Sequence, residues 1–198
     1  MLFRSHAVTL PSGRILLPLY SDGYSFSLMA ISDDGGQTWR ASGPLVSAGG
    51  IQPSVVRKND GTLAAYMRDN GPPPKRIQVS TSRDDGLTWS VAVDTDLPNP
   101  GAGIEVIRLR NGNWVMAYND TERDRNSLAL SLSGDEGQTW KWTRHLEKAS
   151  TGQFHYPSII ESRDGMLHIS YSYFTPEGQA IKHAVVNLEW VKAPEAQR

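Results

Sequence analysis

The chain has no cysteine, which removes disulfides, thiolate metal sites and a cysteine nucleophile at once. That absence leaves the compartment open, exported or cytoplasmic, since exported bacterial proteins often lack cysteine as well. Charge of one sign is not in excess either: 20 Lys and Arg against 21 Asp and Glu give a formal net charge of −1. No run of like charge interrupts that balance, so nothing points to nucleic acid or an anionic membrane as partner. No hydrophobic stretch approaches the roughly 20 residues of a membrane span. The opening MLFRSHAVTLPSGR has no apolar core of about 7–15 residues behind a basic end, and reads as the interior of a domain rather than a signal peptide. Histidine is scarce, five in all with no His-x-x-x-His pair, so neither a metal nor another cofactor is expected. What is present is a hydrophobic content of 38% in 198 residues, enough to bury a core and to exclude disorder.

The ordering feature is an octet written three times: SDDGGQTW from Ser32, SRDDGLTW from Ser82 and SGDEGQTW from Ser133. All fit Ser-x-Asp-x-Gly-x-Thr-Trp, and the spacings of 50 and 51 residues mark a repeat architecture. Asp34, Asp84 and Asp135 are short carboxylates suited to accepting backbone hydrogen bonds, and Gly36, Gly86 and Gly137 can supply positive φ. The serine and threonine hydroxyls can tie the turn together, and Trp39, Trp89 and Trp140 are large enough to anchor it on the core.

A second repeated signal precedes each octet. Glycine turns at Gly13, Gly61, Gly112 and Gly165, spaced 48, 51 and 53 residues, each join two apolar runs as a hairpin. There are therefore four units, approximately 1–50, 51–101, 102–152 and 153–193, followed by a polar tail, 194–198. The fourth has no octet, only Asn187-Leu188-Glu189-Trp190 where one would fall, and its last run AIKHAVVNLEWV is read as a third strand. No segment has helical periodicity.

The octet resembles the Asp-box of sialidases and other bacterial-neuraminidase-repeat proteins, and the resemblance covers essentially the whole chain. It implies an all-β fold, a β-propeller of four-stranded antiparallel blades with the box on the turn between the third and fourth strands. The family wheel is six-bladed, so the chain is expected to be its last four blades, a single partial domain; a self-contained four-bladed wheel and a pairing of two chains are the alternatives. An open blade edge would favour self-association.

In such a blade the hairpin glycine and the Asp-box share one end, which puts the boxes on the wrong face for catalysis. Comparison of the four units locates the other end. Two residues after each glycine stand Ile15, Leu63, Trp114 and Leu167, and four after stand Leu17, Ala65, Met116 and Ile169, a packing column. Seven after, the column breaks into Tyr20, Arg68, Asn119 and Ser172, and eight after into Ser21, Asp69, Asp120 and Tyr173. Seven before the glycine are His6, Ser54, Glu105 and Ser158; nine before are Arg4, Gln52, Gly103 and Tyr156. Agreement at the core with polar disagreement at one end is how a repeated scaffold makes one asymmetric pocket.

Sialidases bind an acidic sugar through arginines and use a tyrosine nucleophile with a glutamate as its base. The resemblance implies the glutamate role for Glu105 and the nucleophile role for Tyr173 or Tyr156. Arg68, then Arg4, suit a substrate carboxylate, with Gln52, Asn119, Asp120 and His155 as further substrate contacts. The first-blade arginine and the general-acid aspartate would lie upstream of Met1, and no convincing third arginine is placed. The chain alone is therefore expected to have little or no activity. The function this implies is an exo-glycoside hydrolase of sialidase type acting on acidic glycan termini. The alternatives are a polysaccharide lyase, with His155 and a tyrosine removing the proton beside a uronate carboxylate held by Arg68, and a non-catalytic carbohydrate-binding propeller.

Overall fold

The computed structural model describes residues 5–195. The chain divides into two compact units, before and after the Leu97–Pro98 bond.

The first unit holds two sheets. One runs β1 (Val8–Thr9), β2 (Ile15–Ser21), β3 (Phe26–Ser32) and β4 (Arg40–Ala41) in that order; the other runs β5 (Gly50–Arg57), β6 (Leu63–Asp69), β7 (Arg76–Ser82) and β8 (Val93–Pro98). The second unit repeats the plan with β9 (Glu105–Arg108), β10 (Trp114–Asn119), β11 (Ser127–Ser133) and β12 (Trp142–Lys148), then a three-stranded sheet of β13 (Gln153–Glu161), β14 (Leu167–Thr175) and β15 (Gly178–Val186). Every pairing is antiparallel between chain neighbours, the up-and-down blade of a propeller.

Both faces of the central strands are covered: β6, β10 and β11 are buried along their whole length, their polar residues such as Arg68, Asn119 and Ser131 included. The core of the first unit gathers Leu16, Met29, Ile31, Leu63 and Met67, and that of the second Val115, Leu128, Leu130, Ile169 and Tyr171. Burying each such side chain contributes roughly 1.5–3 kcal/mol. The packing column holds in three blades, where Leu63, Trp114 and Leu167 are buried. In β2 it does not: Leu16, Pro18 and Tyr20 are buried while Ile15 and Leu17 are half-exposed, so one face of the first sheet is less covered.

Register fixes the two ends of each blade. Ile15, Leu63 and Trp114 pair with Ser32, Ser82 and Ser133, the first serine of each octet. The hairpin glycine and the Asp-box therefore lie at the same end. In the first box Asp34 Oδ1 accepts from Ser32 Oγ at 2.8 Å and Thr38 N at 2.9 Å, and Ser32 Oγ accepts from Gly36 N at 2.8 Å. The other two boxes repeat this around Asp84 and Asp135. Gly36, Gly86 and Gly137 take φ of 91°, 84° and 81°, the left-handed turn that glycine adopts without a Cβ clash.

Two sequence expectations are corrected. Trp39 and Trp89 both donate their indole N–H to their own turn, to Gly36 O at 2.9 Å and Gly86 O at 3.1 Å; Trp39 is 46% exposed there, whereas Trp89 also packs on the core of its unit. The run AIKHAVVNLEWV is not strand to its end. Asn187 accepts from Trp190 N at 2.8 Å and caps a short helix, α1 (Leu188–Lys192), which buries Val191. Arg144 of β12 holds α1, donating to Trp190 O at 2.8 Å with its guanidinium 4.3 Å above the Trp190 ring. Among the described residues no helix is long and apolar enough to cross a membrane.

Candidate active site

The candidate residues stand at the blade ends opposite the Asp-boxes, and two of them sit in the same local device. Strand β5 bulges between Ile51 and Ser54, and β13 between His155 and Ser158. The sequences are Gln52-Pro53-Ser54 and Tyr156-Pro157-Ser158. Proline has no N–H to give the ladder, so pairing breaks there, and the preceding residue swings to the left-handed region: φ is 56° at Gln52 and 58° at Tyr156. A non-glycine residue there costs about 1–2 kcal/mol, which the surrounding pairing offsets. The bulge turns one side chain out of the strand's alternation.

In the first unit that side chain is tied down. Gln52 donates from Nε2 to Tyr20 Oη at 3.2 Å and accepts at Oε1 from Arg68 Nη1 at 3.3 Å. Arg68 Nη2 donates to Asn70 Oδ1 at 3.3 Å. All but Asn70 are buried. Asp69 turns to the backbone instead, accepting from Gly71 N at 2.7 Å and Arg76 N at 3.1 Å, and so closes the loop between β6 and β7. Arg4 lies outside the described residues.

In the second unit Glu105 opens β9 and is 3% exposed. Its Oε2 accepts from the main-chain N–H of Ile159 at 2.7 Å, three residues past Tyr156 on β13. Tyr156 is half-buried; His155 meets its ring edge-on at 4.7 Å, and the Arg125 guanidinium lies 5.3 Å from its centroid. Arg125 is itself fixed by donating from Nη2 to Gly101 O at 2.9 Å. His155 is buried and also meets Phe174 edge-on at 5.1 Å.

The remaining candidates make other contacts. Tyr173 pairs with Phe154 across the sheet, its ring 5.1 Å from the Phe154 ring and under the Lys182 ammonium at 4.6 Å. Asn119 is fully buried, and its Nδ2 faces three carbonyls, Phe154 O at 2.7 Å, Ser127 O at 2.9 Å and Arg125 O at 3.3 Å. Asp120 Oδ2 bonds His145 Nε2 at 3.1 Å, and its Oδ1 accepts from Tyr118 Oη at 3.4 Å. His145 Nδ1 in turn meets Glu195 Oε1 at 2.5 Å. The His145 bond holds the Asp120 carboxyl below its ordinary value, partly opposed by burial. The Asp120 bond, then Glu195, raises His145 against the effect of its own burial.

The structure thus brings together Gln52 and Arg68 in the first unit, and Glu105, His155 and Tyr156 around β13 in the second. Tyr20, Arg125 and His145 were not among the expected site residues. Tyr20 stood in the broken column and could have been found there; Arg125 sits in a loop whose length differs between units, so column comparison does not reach it. In the second unit a buried carboxylate next to the strand that carries Tyr156 can accept a proton, and the Arg125 guanidinium near the Tyr156 ring can hold an anion. Among the described residues no group of three or more His, Asp or Glu could hold a metal ion.

Comparison with known proteins identifies the family and the fold. Residues 1–169 match the BNR repeat-like domain family. The chain belongs to that family. Among BNR-repeat relatives, it is 28% identical over 170 residues to a sialidase of Micromonospora viridifaciens, covering 81% of this chain and 25% of that protein. It is 25% identical over 183 residues to an anhydrosialidase of Macrobdella decora, covering 82% of this chain and 24% of that protein. The chain therefore spans about a quarter of the length of these relatives. The NanB sialidase of Streptococcus pneumoniae superposes with a TM-score of 0.77 at 20% identity, over 93% of this chain and 30% of that one, which establishes the propeller-blade fold.

Proposed function

We propose that these blades serve a sialidase-like exo-glycoside hydrolase acting on acidic sugars at glycan termini. The observation that carries this reading is the Glu105 carboxylate, buried and held by Ile159 N beside the bulge that presents Tyr156. A phenol is a weak nucleophile at its ordinary pKa near 10 and needs an adjacent base. In the proposed step Tyr156 Oη attacks the anomeric carbon, its proton passes to Glu105, and the glycosidic electron pair leaves with the departing oxygen; water then releases the sugar. Arg68, steadied by Gln52, is assigned on its own as a carboxylate-binding group of the first unit, and His155 as a further contact beside Tyr156 in the second. The sialidase relatives support carbohydrate as the ligand class.

The test is a fluorogenic aryl α-sialoside, whose phenolate departs without needing an acid. Slow fluorophore release is expected from the chain, falling about a hundredfold or more in Glu105→Gln. A product absorbing in the ultraviolet through a new carbon–carbon double bond, formed from a uronate glycan, would favour the lyase alternative. Absence of both turnover and binding of the sialoside would contradict the proposal.

A further inference from the structure

A groove of about 440 Å³ opens in the second unit between the β10–β11 and β12–β13 connections, lined by Arg123, Asp124, Arg125, Asn126, Ser150 and Gln153 among others. Its volume falls in the range of ligand sites, about 300–1,000 Å³, but its wall chemistry is not the usual apolar one. Two guanidiniums, two amides and a hydroxyl supply donors, and one carboxylate supplies an acceptor. That set matches a polyhydroxylated ligand with a single negative charge.

The groove is preformed. Its walls are joined by Phe154 N donating to Arg125 O at 2.7 Å and Ala149 N donating to Asn126 O at 3.1 Å. Buried Asn119 braces the same place by bonding Arg125 O and Phe154 O from one amide. Gly152, with φ of 98°, lets the β12–β13 connection lie close against the sheet, where a Cβ would come within 2.9 Å of Phe174 O. Arg125 belongs both to the groove and to the face of the Tyr156 ring, so a chain of sugars reacting at Tyr156 would continue past Arg125 into it.

We infer that this groove is a second sugar subsite selective for a carboxylate-bearing unit, with exposed Arg123 as its specificity-determining residue, so that the preferred ligand is an oligosaccharide with two consecutive acidic sugars. This rests on the proposed function. Asn119 is a positioning residue for the groove rather than a substrate contact.

The test is calorimetric titration of the full chain with N-acetylneuraminic acid, its α2,8-linked disaccharide and its neutral-partner disaccharide with galactose, against wild type and Arg123→Ala. Arg123 is exposed, so circular dichroism of the variant should be unchanged. The diacidic ligand is expected to bind wild type about tenfold tighter than the galactose-containing one, a preference that Arg123→Ala abolishes without changing monosaccharide affinity. Equal affinity for the two disaccharides, or an equal loss for all three ligands in Arg123→Ala, would overturn the subsite while leaving the proposed function standing. Failure of all three to bind would overturn both.

Discussion

The Ile159 main-chain N–H donates to Glu105 Oε2 at 2.7 Å, joining the first strand of one blade to the first strand of the next. The contact holds a buried carboxylate in place by satisfying a backbone donor, so substitution can separate this structural role from the chemical role proposed for it. Glu105→Ala leaves the Ile159 donor unsatisfied at about 1–3 kcal/mol, whereas Glu105→Gln keeps an acceptor. Thermal denaturation should show Glu105→Ala melting several degrees lower, at roughly 2–4 °C per kcal/mol, and Glu105→Gln melting close to wild type while turning over about a hundredfold more slowly. Equal destabilisation by both would mean that the charge, not the bond, holds the strand.

Tyr20 and Gln52 provide a second separable pair. Tyr20→Phe removes the acceptor of Gln52 Nε2 inside the first unit, which should cost about 1 kcal/mol and loosen Arg68 through the other end of the same amide. The expected result is a small drop in melting temperature with a larger rise in KM for an acidic substrate. An unchanged KM would place Arg68 under other control.

The Asp-boxes set the acid limit of the fold. Hydrogen bonds from Thr38 and Thr139, with those from the box serines, hold the Asp34 and Asp135 carboxyls down to about 2. A carboxyl lowered in the folded state contributes stability above its unfolded pKa of about 3.9 and loses it as pH falls through the folded value. Denaturant midpoints should therefore fall between about pH 4 and pH 2, and less steeply in Asp34→Asn and Asp135→Asn, which begin lower.

His145 works with the opposite sign. Raised by Asp120 and Glu195, it contributes stability fully below about pH 6.5 and loses it as pH rises through its higher folded value. Proton-detected titration of His145 should show that value moving down in Glu195→Gln and further in Asp120→Asn. No movement in Glu195→Gln would mean that the C-terminal segment plays no part in this contact, and none in Asp120→Asn would remove Asp120 from it.

Much of the fold was legible because the octet encodes its own hydrogen bonds. Ser32, Asp34 and Thr38 bond one another locally, so spacing alone located the turns, and hairpin glycines such as Gly61 and Gly112 set the strands around them. Features that depend on tertiary surroundings were not legible. Nothing local distinguishes Trp39, lying on its own turn, from Trp89, packed on the core. Asn187 became a helix cap only because α1 has β12 and Arg144 to rest on. At the site, Arg68 and Gln52 stood out as breaks in a column and meet through a hydrogen bond. The left-handed backbone that presents Tyr156 comes from a bulge that column counting passes over, and the Arg125 guanidinium reaches the Tyr156 ring from a loop outside any shared register.

The central claim is that Tyr156, with Glu105 as its base, forms the bond to the sugar. A sialyl fluoride carrying a second fluorine beside the anomeric carbon tests it most directly: the tyrosine oxygen displaces fluoride, and the neighbouring fluorine slows release of the sugar. Peptide mass mapping after incubation should find the sugar on Tyr156, with labelling lost in Tyr156→Phe and slowed in Glu105→Gln. Sugar on Tyr173, or undiminished labelling of the Tyr156→Phe protein, would contradict the claim.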